Sequence, residues 1–258
     1  MQFWDRYAPI DLLEKQINGP TWEQKFYYYA RYSHYIPTWS YHAYLQWRMA
    51  RTRGNYYFTH YANLLNNGGI ATDLTPNYAL LSKETCQKIM GSFESQGISF
   101  RAVYTMRDPV KRAVSHFAMY RFGPLHGPRW VEQTLGVPRD SGFNQAFQSF
   151  IRLEYHKAIS DYKKTIDTMT AAYPEEQREF VLFEEMIRGV KLQELSDFLG
   201  VSYRPDAIGA PVNAQKRSVV LDEEVLQECA QLCRPTYEAI AKMFPQTETL
   251  WSGWKCLR

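Results

Sequence analysis

Apolar positions along the chain switch between two periods. Around residues 100–104, Phe100, Ala102, Val103 and Tyr104 form a short run of aromatic and β-branched character that predicts a buried strand. Arg107-Asp108-Pro109 ends it, and Val110, Ala113, Val114, Phe117 and Ala118 then recur at helical spacing. Pro109 fits a first helical position, where no amide partner is lost, and Asp108 before it suits a cap. A second apolar run, Phe180-Val181-Leu182-Phe183, predicts another strand, and Ile70 to Leu74 a third, followed by a loop at Thr75-Pro76-Asn77-Tyr78. Helices are expected from Ser82 to about Ser95, from Phe143 to Tyr173, from Lys191 to Leu199 before Gly200, and from Asp222 to about Phe244. Gly123 to Gly142 reads as a loop of about twenty residues, a length common in substrate-side segments. Val212 to Val220 reads as irregular or extended. Strands alternating with helices predict an α/β fold, with a largely parallel central sheet flanked by helices, in a single domain spanning 1–258.

Residues 1–66 read as mostly helical and are dense in aromatics, with Tyr27, Tyr28, Tyr29, Tyr32 and Tyr35 followed by Trp39, Tyr41, Tyr44 and Trp47. They suit either a wide aromatic core between helices or an exposed sugar- or peptide-binding surface.

Charge is informative only locally. The net balance of +3 implies no general polyanion-binding surface, so no nucleic-acid partner is expected. Between Arg101 and Arg121, however, five basic residues (Arg101, Arg107, Lys111, Arg112, Arg121) face one acid, Asp108. Guanidinium groups beside a helix N-terminus make an anion site suited to phosphate; the alternative is a basic solvated helix after an ordinary strand. Four cysteines show no CxxC pair and no zinc spacing, so no metal is expected. Cys229 and Cys233 share a helix face, where packing or a redox role are the two options. No apolar run approaches the roughly 18 residues of a membrane span. A cytoplasmic protein is expected, or alternatively a Golgi-lumen domain without its anchor.

Four segments together resemble the sulfotransferases that use 3′-phosphoadenosine-5′-phosphosulfate. RDPVKRAVSHF is similar to that family's 3′-phosphate segment, in which an arginine at a strand end and a serine eight residues later hold the phosphate; the matching positions are Arg107 and Ser115. Asp73-Leu74-Thr75-Pro76-Asn77-Tyr78 is similar to its acidic-x-Thr/Ser-Pro-x-Tyr segment, although many members carry a lysine where Leu74 stands. FVLFEEM with LQELSDFLGV resembles the later strand and helix, and Asn213 with Lys216-Arg217 the basic loop that closes over the nucleotide.

The resemblance implies a P-loop-like architecture, with 3′-phosphoadenosine-5′-phosphosulfate as co-substrate and no metal. Arg107, Ser115, Lys216 and Arg217 would then bind the nucleotide, and Thr75, Asn77 and Tyr78 the acceptor. The acceptor is a hydroxyl or amine compound, most naturally a glycan. Asp73 would orient or deprotonate it, or else serve as a turn carboxylate. The family's 5′-phosphosulfate loop has no counterpart between Met1 and Leu65. Gln2-Phe3-Trp4-Asp5-Arg6 resembles the run that follows the family's Lys-Glu pair, which places the first strand, that loop and the general base upstream of Met1. A non-catalytic relative keeping only the 3′-phosphate half-site, and another phosphate-binding α/β protein, are the competing expectations.

Overall fold

The computed structural model describes residues 58, 61–63, 65, 68–74, 76–122, 127–205 and 219–258, with backbone only for 127–130. The chain divides into two compact units, Met1–Phe100 with Ala171–Pro174, and Arg101–Thr170 with Glu175–Arg258.

In the first unit, a 3-10 turn over Pro76–Leu80 leads to helix α1, Lys83–Glu94. Ser82 caps α1 as expected, its hydroxyl accepting from the Thr85 amide at 3.2 Å. The apolar face of α1 is aromatic. Phe93 meets Phe58 edge-on at 5.0 Å and stacks on Phe100 at 6.2 Å, and Phe100 lies 5.2 Å from Tyr173. Residues 70–74, expected as a strand, form none. A strand needs a ladder partner, none of the described residues pairs with this run, and Ile70 and Leu74 stay 52% and 68% exposed. The loop expected at 75–78 is tighter than read, because Pro76 opens a helical turn.

The second unit is α/β and mostly helical, around a small parallel sheet. Strands β1 (Ala102–Met106) and β2 (Arg178–Leu182) pair in register from Ala102 with Arg178 to Met106 with Leu182. Among the described residues the sheet has these two strands, where a larger central sheet was expected. β1 is half-buried, not buried: only Met106 is fully covered, and Val103 is 38% exposed.

Helix α2, Pro109–Phe122, follows β1 and packs Val110, Ala113, Phe117 and Ala118 inward, four of the five residues the spacing selected. Phe117 lies 5.3 Å from Phe150 and 4.8 Å from Phe143 in an aromatic core completed by Phe147. Burying each phenyl ring contributes on the order of 2–3 kcal/mol.

Three expected elements are subdivided. The long loop contains helix α3, Gly127–Leu135, which buries Val131 completely. The helix expected over 143–173 is three: α4 (Phe143–Ile151), α5 (Glu154–Ser160) and α6 (Tyr162–Ala172). Leu153 turns extended at ψ 136 to start α5, and Asp161 breaks the next junction at ψ 75 while its carboxylate accepts from the Lys164 amide at 3.0 Å.

After β2 come α7 (Phe183–Met186) and α8 (Leu192–Leu199), the latter ended by Gly200 at φ +69. The last expected helix is split into α9 (Glu223–Leu232) and α10 (Arg234–Met243), because Pro235 cannot donate back into the preceding turn. A short helix α11 (Thr247–Leu250) and a 3-10 turn (Ser252–Leu257) follow.

Candidate functional site

Parallel pairing brings the ends of β1 and β2 side by side. The residues just past the last register pair, Arg107 and Phe183, meet there: the Arg107 guanidinium lies over the Phe183 ring at 5.0 Å. The Arg107 carbonyl accepts from the Tyr162 hydroxyl at 2.8 Å, which fixes the backbone beneath the side chain. Burial pushes that phenol up to about 12, so it donates throughout the physiological range. Arg107 Nε is buried and has no hydrogen-bond partner among the described residues, and no carboxylate there pairs with the guanidinium.

Asp108 is fully buried and caps α2 as its position suggested, accepting from the amides of Val110 at 3.0 Å and Lys111 at 3.5 Å. Its carboxylate also accepts from Tyr237 Oη at 2.6 Å, Ser252 Oγ at 3.2 Å and the Gly253 amide at 2.8 Å. The Asp108 amide in turn donates to Glu184 Oε1 at 3.1 Å, and Glu184 Oε2 accepts from Trp251 Nε1 at 3.0 Å. Burial and the facing Asp108 carboxylate push the Tyr237 phenol far up, keeping it a donor. Gly253 is required by approach distance: a Cβ there would stand 1.9 Å from Tyr237 Oη and 2.8 Å from Asp108 Oδ1.

The anion at this helix N-terminus is therefore the chain's own Asp108, and a ligand phosphate would be held by side chains around it. The five basic residues do not converge either. Arg121 donates to the carbonyls of Arg139 and Ser141, both at 3.1 Å, and Arg101 lies over Phe198 at 5.7 Å. Lys111 is exposed. Arg112 turns inward, donating to Ser160 Oγ at 2.5 Å with its guanidinium 6.0 Å from the Tyr162 ring. Arg107 is left as the cation at the strand end. Ser115 stands half-buried two turns into α2.

Behind Arg112 lies a second polar cluster. Ser160 Oγ donates to the His156 carbonyl at 2.6 Å, and Thr236 Oγ1 to the Ser160 carbonyl at 2.7 Å. His156 is 1% exposed, and its Nε2 has no partner among the described residues. Burial first, then the Arg112 charge and the His116 ring, hold its imidazole well below the usual histidine range. Cys229 and Cys233 are both buried, and the interaction with Cys229, assisted by the Arg112 charge, lowers the Cys233 thiol against the opposing effect of burial. Among the described residues no three His, Cys, Asp or Glu side chains gather as metal ligands.

In the first unit, the Tyr78 hydroxyl donates to Asp73 Oδ2 at 2.6 Å, closing the loop on itself, and Asn77 is buried. Thr75, Asn213, Lys216 and Arg217 lie outside the described residues. Glu184, just past the Phe180–Phe183 run, is a buried acceptor for the Asp108 turn. Tyr237, Trp251, Ser252 and Gly253 were not anticipated as part of this turn. A glycine between two tryptophans, Trp251-Ser-Gly-Trp254, is the one sequence signal for a close backbone approach there. Comparison with protein-family models, curated proteins and solved structures returned no match.

Proposed function

We propose that the chain is a sulfotransferase-type protein of P-loop-like architecture, holding the 3′-phosphate of 3′-phosphoadenosine-5′-phosphosulfate beside Arg107 and Ser115. The observation that carries this proposal is the Arg107 guanidinium. It sits at the carboxyl end of a parallel strand, where α/β sheets bind ligands, with a buried Nε that no described residue satisfies. Arginine presents a planar fork that matches phosphate, and the Phe183 ring lies 5.0 Å from this one.

In the transfer itself, the bond from sulfur to the 5′-phosphate oxygen breaks and a bond from sulfur to the acceptor oxygen or nitrogen forms. The acceptor proton leaves to a base. Catalysis of such an in-line transfer rests on positioning and on neutralising developing charge. For Asp73 to take that proton it would first have to give up its Tyr78 bond. A second reading is a relative that binds the nucleotide through the 3′-phosphate half-site without efficient turnover; the closed Asp73–Tyr78 pair, which leaves no ready base among the described residues, favours it.

Adenosine 3′,5′-bisphosphate is expected to raise the thermal midpoint of the wild type, with ATP and magnesium having no effect. Arg107→Ala abolishes the shift, and Arg107→Lys recovers only part of it, since a lysine keeps the charge without the fork. Turnover of labelled donor is expected to be slow. No shift in the wild type, or an undiminished one in Arg107→Ala, overturns the assignment; rapid sulfate transfer overturns the second reading.

A further inference from the structure

We propose that the turn Trp251–Gly253 is a positioning latch for Arg107, coupling order in this turn to occupation of the anion site. The inference deepens, and rests on, the assignment of Arg107 as a phosphate ligand.

Nothing in β1 or α2 alone sets the direction in which Arg107 leaves the sheet. Asp108 does so together with the Tyr162 bond to the Arg107 carbonyl, and Asp108 is held from the far end of the chain. Ser252 Oγ and the Gly253 amide bind one oxygen of Asp108, at 3.2 and 2.8 Å, while Tyr237 Oη binds the other at 2.6 Å. Trp251 holds Glu184 at 3.0 Å, and Glu184 holds the Asp108 amide at 3.1 Å. Both the peptide nitrogen and the side chain of the residue after Arg107 are thus fixed by the same turn.

The ring under the guanidinium belongs to the same arrangement, since Phe183 immediately precedes Glu184. Gly253 admits no side chain, because its backbone must come within bonding reach of Asp108 under the Tyr237 hydroxyl. Tyr237, Trp251, Ser252 and Gly253 touch no part of the proposed ligand; they act through Asp108 and Glu184. Since coupling between sites is reciprocal, an anion bound at Arg107 tightens the latch as much as the latch tightens the anion.

Tyr237→Phe and Ser252→Ala test this. Each deletes one donor to Asp108 and leaves its other hydrogen-bond donors in place; Tyr237→Phe also removes a second acceptor of the Val110 amide, at 3.4 Å, so exchange is read at Asp108 and Lys111. Amide hydrogen exchange in the absence of ligand is expected to quicken at least fivefold at Asp108 and Lys111 in Tyr237→Phe, with Phe147 and Ile151 in α4 unchanged. Affinity for adenosine 3′,5′-bisphosphate, measured well below the melting range, is expected to fall three- to tenfold. The core variant Ile151→Val, of similar stability loss, keeps wild-type affinity. In the wild type the same ligand slows exchange of the Gly253 amide.

Unchanged exchange at Asp108 and Lys111 in Tyr237→Phe overturns the latch whatever the ligand does. Equal affinity of wild type and Tyr237→Phe, or an equal loss in Ile151→Val, overturns it too. If the wild type binds no adenosine 3′,5′-bisphosphate, the phosphate assignment falls, and the exchange measurement alone decides whether the turn positions Arg107.

Discussion

Two buried polar clusters flank the start of α2, and they are built on opposite terms. Around Asp108, a carboxylate receives its two α2 amides, a phenol, a hydroxyl and a glycine amide, and Glu184 beside it bridges Trp251 to the Asp108 amide. Around Arg112, a guanidinium has Ser160 Oγ as its hydrogen-bonded oxygen, while Arg112 Nε and His156 Nε2 are buried with no partner among the described residues. A satisfied buried network specifies one arrangement, whereas a partly satisfied one sits close in free energy to its alternatives. The difference teaches where this unit is rigid: the negative cluster fixes the strand-to-helix turn, and the positive cluster is the place that yields.

The largest effect is therefore expected at Asp108. Asp108→Ala removes the acceptor from several buried donors at once, and each orphaned donor costs roughly 1–3 kcal/mol. A total loss of about 3–5 kcal/mol is expected, a large share of the stability of an ordinary domain. Urea denaturation of wild type and variant measures it. A loss below about 1 kcal/mol would mean that water replaces these bonds freely and that the cluster is not rigid.

An intermediate effect is expected from acid, and it falls on the other cluster. The His156 imidazole titrates well below its ordinary range in the fold, because burial, Arg112 and His116 all oppose its proton. In the unfolded chain it takes a proton at about pH 6.5. The unfolded state therefore binds more protons between that value and the depressed folded one. The stability associated with neutral His156 is intact above about pH 6.5 and is lost as pH falls towards the folded value. From pH 7 to 5.5 this amounts to about 1 kcal/mol for one proton. His156→Gln, compared with wild type by urea midpoints at the two pH values, is expected to lose that difference. An identical pH dependence in both proteins would place the titration elsewhere.

The satisfied cluster was also the less legible of the two in sequence. Asp108 as a cap followed from its place before Pro109, and the two parallel strand ends followed from their apolar runs, because both are consequences of neighbours in the chain. Tyr237 and Gly253 reach Asp108 across more than a hundred residues, and no local period encodes that. Pro235 was different: it marks the end of α9 in plain sight, and the continuous helix expected over 222–244 overlooked a residue that lacks the donor. The strand expected at 70–74 failed for a different reason, since a short run reads as a strand only with a ladder partner, and none for it is among the described residues. At the candidate site, Arg107 and Ser115 were named from a motif, whereas the unsatisfied Nε that gives Arg107 its interest is visible only in three dimensions.

The smallest effect sharpens the comparison most. Arg112→Met keeps an unbranched stem of similar reach and removes the charge. No donor is stranded by this change: Ser160 Oγ still donates to the His156 carbonyl, and the Tyr162 hydroxyl still donates to the Arg107 carbonyl. The lost Ser160 bond is offset by ending the desolvation of an unpaired cation, so the change in stability at pH 7 is expected to stay within about 1 kcal/mol of zero. The same substitution removes one of the charges that oppose a proton on His156. Its folded value must then rise towards the unfolded one, so the total acid-induced loss must shrink, most visibly at the lowest pH, where the folded imidazole titrates. A variant that is near-neutral at pH 7 yet more acid-tolerant than wild type is the signature of a strained positive cluster. A loss at pH 7 comparable to that of Asp108→Ala would show that Arg112 is as firmly embedded as its acidic neighbour, and the contrast between the two clusters would disappear.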